Sequence, residues 1–254
     1  MNISTIHSNC ISRTGTSLEV CLENATKSNG FKLINSHRVF QARQPLYCAG
    51  EPFEGLYILR SGSAKSFISS INGDEHITKF FYPGDLLGVD GFDEHTYKEN
   101  ILFLETSSVC LVKESDLNNL VKNNEDFRNG LIRSMSHALV NDSAMMMCLS
   151  SCSSEQKVAR FILELSEQFT KLGLSGSEFR LSMTRTDIAN YMGMALETVS
   201  RVFASFQLKR LIRVHNRQLN ILDYDALHSF VSRNHLAAKA STNLHPNKCI
   251  GSAY

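Results

Sequence analysis

The stretch RTDIANYMGMALETVSR, Arg185 to Arg201, sets two short helical runs on either side of a Gly-Met pair. In the first run Ile188, Ala189 and Met192 fall on one face, and Ala189 is small enough to let a second helix cross closely. Gly193 supplies the backbone freedom for a sharp turn, and Met194 plugs the angle between the helices. The second run continues to about Lys209. Val199, Val202, Phe203 and Phe206 face inward there, leaving Glu197, Thr198, Ser200, Arg201 and Ser205 outside. The pattern predicts a helix-turn-helix over residues 185–204, with the second helix placing its N-terminal residues in the major groove of DNA.

The chemistry of the outer face agrees with that placement. Arg201 can make a bidentate contact to guanine, Glu197 can accept from a cytosine amino group, and Ser200 can donate or accept. Arg185, Thr198, Lys209, Arg210, Arg213 and Arg217 are candidates for the DNA backbone. The last two flank or lie in LIRVHNRQLNIL, whose alternation about His215-Asn216-Arg217 predicts a hairpin, the wing of a winged helix. A corner of two helices can also be purely structural, but the polar outer face and the basic hairpin favour DNA. Net charge is only +1. Its distribution is more telling: residues 196–217 carry five basic side chains against one acid, whereas residues 31–120 carry eight against twelve. A basic segment on a neutral chain is the footprint of a modular DNA binder.

Working outward, 254 residues at 43% hydrophobic and 20% charged suffice for two globular domains. No apolar run is long enough to span a bilayer, and the first residues do not read as a secretory signal. A cytoplasmic protein with no membrane partner is expected. Seven dispersed cysteines do not make a disulfide scaffold, and most should be buried thiols. Residues 1–30, rich in Ser, Thr and Asn, read as a flexible arm, and 234–254 as a flexible tail. Over 31–120, short runs rich in Phe, Ile, Val and Tyr, punctuated by SG, NGD, PGD and DG, predict a small antiparallel barrel or sandwich. Asn72-Gly73 marks a tight hairpin. From Glu125 the period changes. Ile132, Met135, Leu139, Asp142, Met146 and Leu149 follow at steps of three and four, a coiled-coil seam within a helix assigned to 121–151. A narrow seam of this kind pairs most economically with its own copy, and Asp142 would set two like carboxylates close together and weaken that pairing. An amphipathic helix packed on the barrel, with Asp142 reaching water, is the plainer alternative. SSCSSEQ reads as a linker and helix start, opening a winged domain over 152–233.

This order of parts resembles the CRP/FNR superfamily of bacterial transcription regulators, over nearly all of residues 36–230. The resemblance is closest to the anaerobic FNR branch, in LYILRSGSAKS, GDEHITKFFYPGDLLGVD, LETSSVC, FRLSMTRTDIANYMGMALETVSR and the seam Asp142. It implies an α+β fold: a cyclic-nucleotide-binding-type β-roll, a long dimerisation helix and a C-terminal winged helix-turn-helix. It also implies a homodimeric activator that reads TTGAT-like palindromic half-sites through Glu197, Ser200 and Arg201. Leu196 stands where cyclic-AMP-dependent members carry another arginine. Gly73 and Asp74 match a loop that contacts RNA polymerase through its sigma subunit.

Three signals compete. The family's phosphate pocket uses an arginine, but PGDLLGVDGFDEHTYKENILF contains none, which argues against cyclic AMP. An iron–sulfur cluster is held in the FNR branch by three closely spaced N-terminal cysteines and one in the roll. Cys110 matches the roll ligand, but only Cys10 and Cys21 precede the roll, and the usual N-terminal pattern is missing. Cys48, His7, His37 or nothing would complete such a set. Thiol redox, for instance a Cys21–Cys110 disulfide, is the third option; Cys148 and Cys152 are expected simply to pack. No Walker loop, G-x-S-x-G or H-E-x-x-H arrangement is present, and no enzyme is expected. The remaining alternative is a redox, metal or haem sensor whose winged helix mediates protein contacts.

Overall fold

Two antiparallel four-stranded sheets make the first domain of the computed structural model, which describes residues 37–231. Its strands are β1 (His37–Phe40), β2 (Pro45–Tyr47), β3 (Gly55–Ser61), β4 (Ala64–Ser69), β5 (Glu75–Phe81), β6 (Leu86–Leu87), β7 (Asn100–Phe103) and β8 (Ser107–Lys113). One sheet runs β1-β8-β3-β6 and the other β2-β7-β4-β5, which is the β-roll. Its core joins aromatic rings to aliphatic side chains: Phe40 stacks on Phe103 at 4.7 Å, and Tyr47 on Tyr97 at 3.6 Å. Gly55 has φ of 148°, and a Cβ there would meet the Val112 carbonyl oxygen at 2.2 Å. The close pairing of β3 and β8 at this point requires glycine.

β3 and β8 are buried along most of their length instead of alternating. The cause is a helix that the sequence reading did not separate from its surroundings, α1 (Glu114–Asn123). Leu117 and Leu120 of α1 join the roll core, together with Phe127 and Leu131 of the next helix. A sheet covered on both faces reads as continuous apolar runs.

The next helix, α2 (Glu125–Ser151), starts where the Asn124 side chain accepts from the Phe127 amide, a normal N-cap. Cys152 and Ser153 are extended, and Ser153 then caps α3 (Ser154–Lys171) in a reciprocal box with Gln156. The C-terminal domain continues through β9 (Glu178–Arg180), α4 (Arg185–Tyr191), α5 (Leu196–Leu208), β10 (Ile212–His215), β11 (Gln218–Ile221) and helical residues 224–231. Its sheet runs β10-β11-β9. β10 and β11 form the wing. No helix among the described residues is long and apolar enough to cross a membrane.

Phe103 is fully buried against Phe40. Phe103→Ala should cost about 3–5 kcal/mol, the usual result of deleting a buried ring. The loss will show as an earlier midpoint in urea unfolding.

Candidate nucleic-acid interface

Helix α4 begins at Thr184, whose hydroxyl accepts from the Asp187 amide while the Asp187 carboxylate accepts from the Thr184 amide and hydroxyl. This satisfies donors that a helix start would leave bare. Ile188, Ala189 and Met192 are buried. Gly193 turns the chain with φ of 58°, and Met194 packs partly buried on the same core. In α5, Val199, Val202, Phe203 and Phe206 are buried, as the spacing requires. Glu197, Ser200 and Arg201 are exposed, and Thr198 is half-buried.

The side chains expected to meet DNA are in different states of readiness. Arg201 lies back along its own helix, donating to the Glu197 carbonyl at 3.4 Å and the Thr198 hydroxyl at 3.3 Å. Both are long, weak bonds that a base edge can displace. Arg210 and Arg213 are exposed. Arg217 donates to the Ser182 carbonyl at 3.0 Å, and Lys209 pairs with Glu155 at 3.0 Å.

Arg185 behaves differently from a free phosphate ligand. Its guanidinium lies 3.2 Å from the centre of the Phe203 ring, and one of its nitrogens is buried without a hydrogen-bond partner. Burial pulls its pKa down to about 10. In this conformation Arg185 joins α4 to the inner face of α5, a cation–π contact strengthened by desolvation. Nothing in the residue spacing distinguishes it from the outward arginines.

The seam residues of α2 share one exposed stripe. Ile132 is 58% exposed, Leu139 68% and Met146 71%; Met135 and Asp142 are also exposed, and Leu149 is half-buried. Val140 and Met147 are exposed beside that stripe. At the roll's far hairpin, Gly73 takes φ of 85°, while Asn72 does not take positive φ. Asp74 is exposed next to it.

For a cyclic nucleotide, the residues of the corresponding stretch do not fit. Two backbone amides that could cradle an anion, those of Lys98 and Glu99, already donate to the Asp90 carboxylate at 2.8 and 2.9 Å. Glu99 is itself half-buried. Burial pushes its carboxyl up against the opposing bonds from Ser66 and Thr78, and the charges of Asp90 and Asp142 add to the rise. This stretch offers a phosphate carboxylates and no arginine of its own. For a cluster, Cys110 is buried on β8 and Cys48 is exposed, while Cys10 and Cys21 lie outside the described residues. Burial, with the contact to Cys152, pushes the Cys148 thiol up to about 11. It is a protonated packing group at neutral pH.

A β-roll, a long helix and a C-terminal winged helix with an exposed polar recognition surface define a DNA-binding transcription regulator. The comparisons agree. Residues 37–124 match the family model described as the cyclic nucleotide-binding domain, and residues 156–230 that of the Crp-like helix-turn-helix domain. The transcriptional activator protein Anr of Pseudomonas protegens is 37% identical over 192 residues, 76% of this chain and 79% of that protein. The fumarate and nitrate reduction regulatory protein of Salmonella typhi is 37% identical over 195 residues, 77% and 78% of the two chains. Among solved structures, FixK2 from Bradyrhizobium japonicum shares the fold with a TM-score of 0.71 at 24% identity, covering 77% of this chain and 96% of that one. The chain belongs to the CRP/FNR family of transcription regulators, on the side of its Anr- and FNR-type activators.

Asp187 also meets Lys65 of the roll, Nζ to Oδ1, at 2.7 Å. Burial opposes its charge, but Lys65 and Thr184 together hold the carboxyl below its ordinary range. Its contribution to stability is therefore complete above about pH 4, the unfolded value, and is lost as pH falls through the lowered one. Between pH 4 and pH 2 the melting temperature of the wild type should fall more steeply than that of Asp187→Asn. Parallel curves would remove this ion pair from the acid response.

Proposed function

We propose that the chain acts in the cytoplasm as a homodimer that reads palindromic DNA of TTGAT-like half-sites and mainly activates transcription. The observation that carries this reading is the exposed N-terminal half of α5. Glu197, Ser200 and Arg201 share its outer face, while Val199, Val202 and Phe203 anchor its inner one. Thr198 on α5, Lys209 and Arg210 at its end, and Arg213 and Arg217 of the wing take phosphates, with Lys209 and Arg217 exchanging their present partners for them. Arg185 serves the backbone only by leaving Phe203; in its present place it braces the recognition helix.

Pairing is supported by the exposed apolar stripe of α2, because side chains such as Leu139 and Met146 gain by leaving water. In heptad terms Ile132, Leu139 and Met146 take one seam position, and Met135, Asp142 and Leu149 the other. Asp142 puts a carboxylate in the middle of that apolar line, so pairing is deliberately weak. The hairpin with Gly73 and Asp74 is the surface offered to RNA polymerase. The division into roll (31–120), pairing helix (121–151) and winged domain (152–233) belongs to the same proposal; the expected arm (1–30) and tail (234–254) lie outside the described residues.

Two substitutions test it. Arg201→Ala should lower affinity for the matched site by about 1–3 kcal/mol and relax discrimination at one base pair, as loss of a bidentate guanine contact does. Affinity for unrelated duplex should change little. Equal losses on matched and unrelated DNA would displace Arg201 from base reading. Asp142→Ala should shift the monomer–dimer equilibrium toward dimer by about tenfold or more, read by sedimentation equilibrium, because it replaces a repelling pair with an apolar contact. An unchanged equilibrium would take Asp142 out of the seam.

A further inference from the structure

Asn190 belongs to the first helix of the reading motif, yet its carboxamide faces the roll. Its Oδ1 accepts from the Ile77 amide at 2.6 Å, and its Nδ2 donates to the Glu75 carbonyl at 2.7 Å. β5 is the outermost strand of its sheet. Its outward backbone groups are those that an additional strand would pair with. One carboxamide, carrying an acceptor and a donor, stands in for a peptide of that missing strand.

Three residues earlier, on the same face of α4, Asp187 meets Lys65 of β4. The side chains of this pair are only 14% and 11% exposed. Apolar contacts join these two polar ones. Ile77, Phe80 and Tyr82 lie in one core with Ile188, Ala189 and Phe203, and Phe80 meets Tyr191 edge-on at 5.1 Å. A buried ion pair adds little net stability, but breaking it strands a charge, so it selects one docking geometry. Covalently, the winged domain hangs from α2 by two extended residues, Cys152 and Ser153. Two extended residues do not by themselves fix its orientation, which is set by the packing around Cys148 and by the contacts with the roll.

We propose that Lys65, Asp187 and Asn190 are positioning residues for DNA reading. They hold each reading motif against its own roll, so the separation of the two recognition helices in a dimer is set before DNA arrives. The constraint passes from α4 to α5 through Arg185 on Phe203. This inference rests on the dimeric DNA-reading function proposed above. Its benefit is the ordering cost that a loosely hung domain would otherwise meet on binding.

The test uses the full chain with Lys65→Met, Asn190→Ala and the conservative Lys65→Arg, each checked for cooperative melting. Without DNA, Asn190→Ala should speed exchange of the Ile77 amide by about tenfold or more. With DNA, Lys65→Met and Asn190→Ala should bind a single half-site duplex within about twofold of wild type. Their preference for the full palindrome over the half-site should fall about tenfold, since the second engagement loses its fixed geometry. Lys65→Arg should keep that preference. An unchanged preference in both folded variants would overturn the positioning role. So would a wild-type Ile77 amide that exchanges as fast as in Asn190→Ala. A wild-type chain that binds no specific DNA would overturn the function and the positioning together, while a protected Ile77 amide would still show the domains docked.

Discussion

An antiparallel sheet ends on a strand whose outer N–H and C=O groups need partners, and in this chain a helix of the winged domain supplies two. β5 offers the Ile77 amide and the Glu75 carbonyl, and Asn190 takes both. Much else follows from that contact. It brings α4 down onto β5 and makes Ile77 and Phe80 part of the winged domain's core. Beside it Lys65 and Asp187 are largely withdrawn from solvent, and their ion pair closes at 2.7 Å. In water such a pair contributes little, whereas in a partly dry seam it discriminates strongly between arrangements. Roll and winged domain thus share one packed interface within the protomer.

The long helix has the opposite character. Its start is built into the roll through Phe127 and Leu131, and its end is tied to α3 through Cys148. Between those anchors Ile132, Leu139 and Met146 stand mostly in solvent. An apolar stripe held at both ends and bare in the middle is well placed for pairing, because the protomer orders it without covering it. In the proposed pairing Asp142 limits how firmly the stripe can hold. Its charge also adds to the rise of the half-buried Glu99 carboxyl.

The reading motif was legible in the sequence because its local rules coincide. Inward apolar spacing, a glycine at the turn and a polar outer face all name the same two helices, and α4 and α5 lie where that spacing puts them. The roll was legible from its strands and turns. Helix α1 was not, because its ten residues hold only Leu117 and Leu120 as core side chains, too few to establish a period against the strand before it. Arg185 was assigned to phosphate because an arginine at a helix start looks outward in sequence; the ring beneath it comes from α5, eighteen positions on. Asn190 and Lys65 carried no signal for the same reason. Their partners are a strand edge and a carboxylate more than a hundred residues away, and no local pattern records such a meeting.

The roll matches the cyclic nucleotide-binding domain as a fold, but the stretch that would receive a phosphate is acidic. Where a phosphate would need donors, Asp90 has taken the amides of Lys98 and Glu99, and Glu99 lies half-buried beside it. The negative charge such a pocket is built to receive is already supplied by the chain. The two sheets of the roll also stand differently toward the reading motif. β5 carries the winged domain directly, and β8, which holds Cys110, is paired with β3 at the heart of the opposite sheet. The strand that touches α4 and the strand that holds Cys110 thus lie in different sheets of the roll.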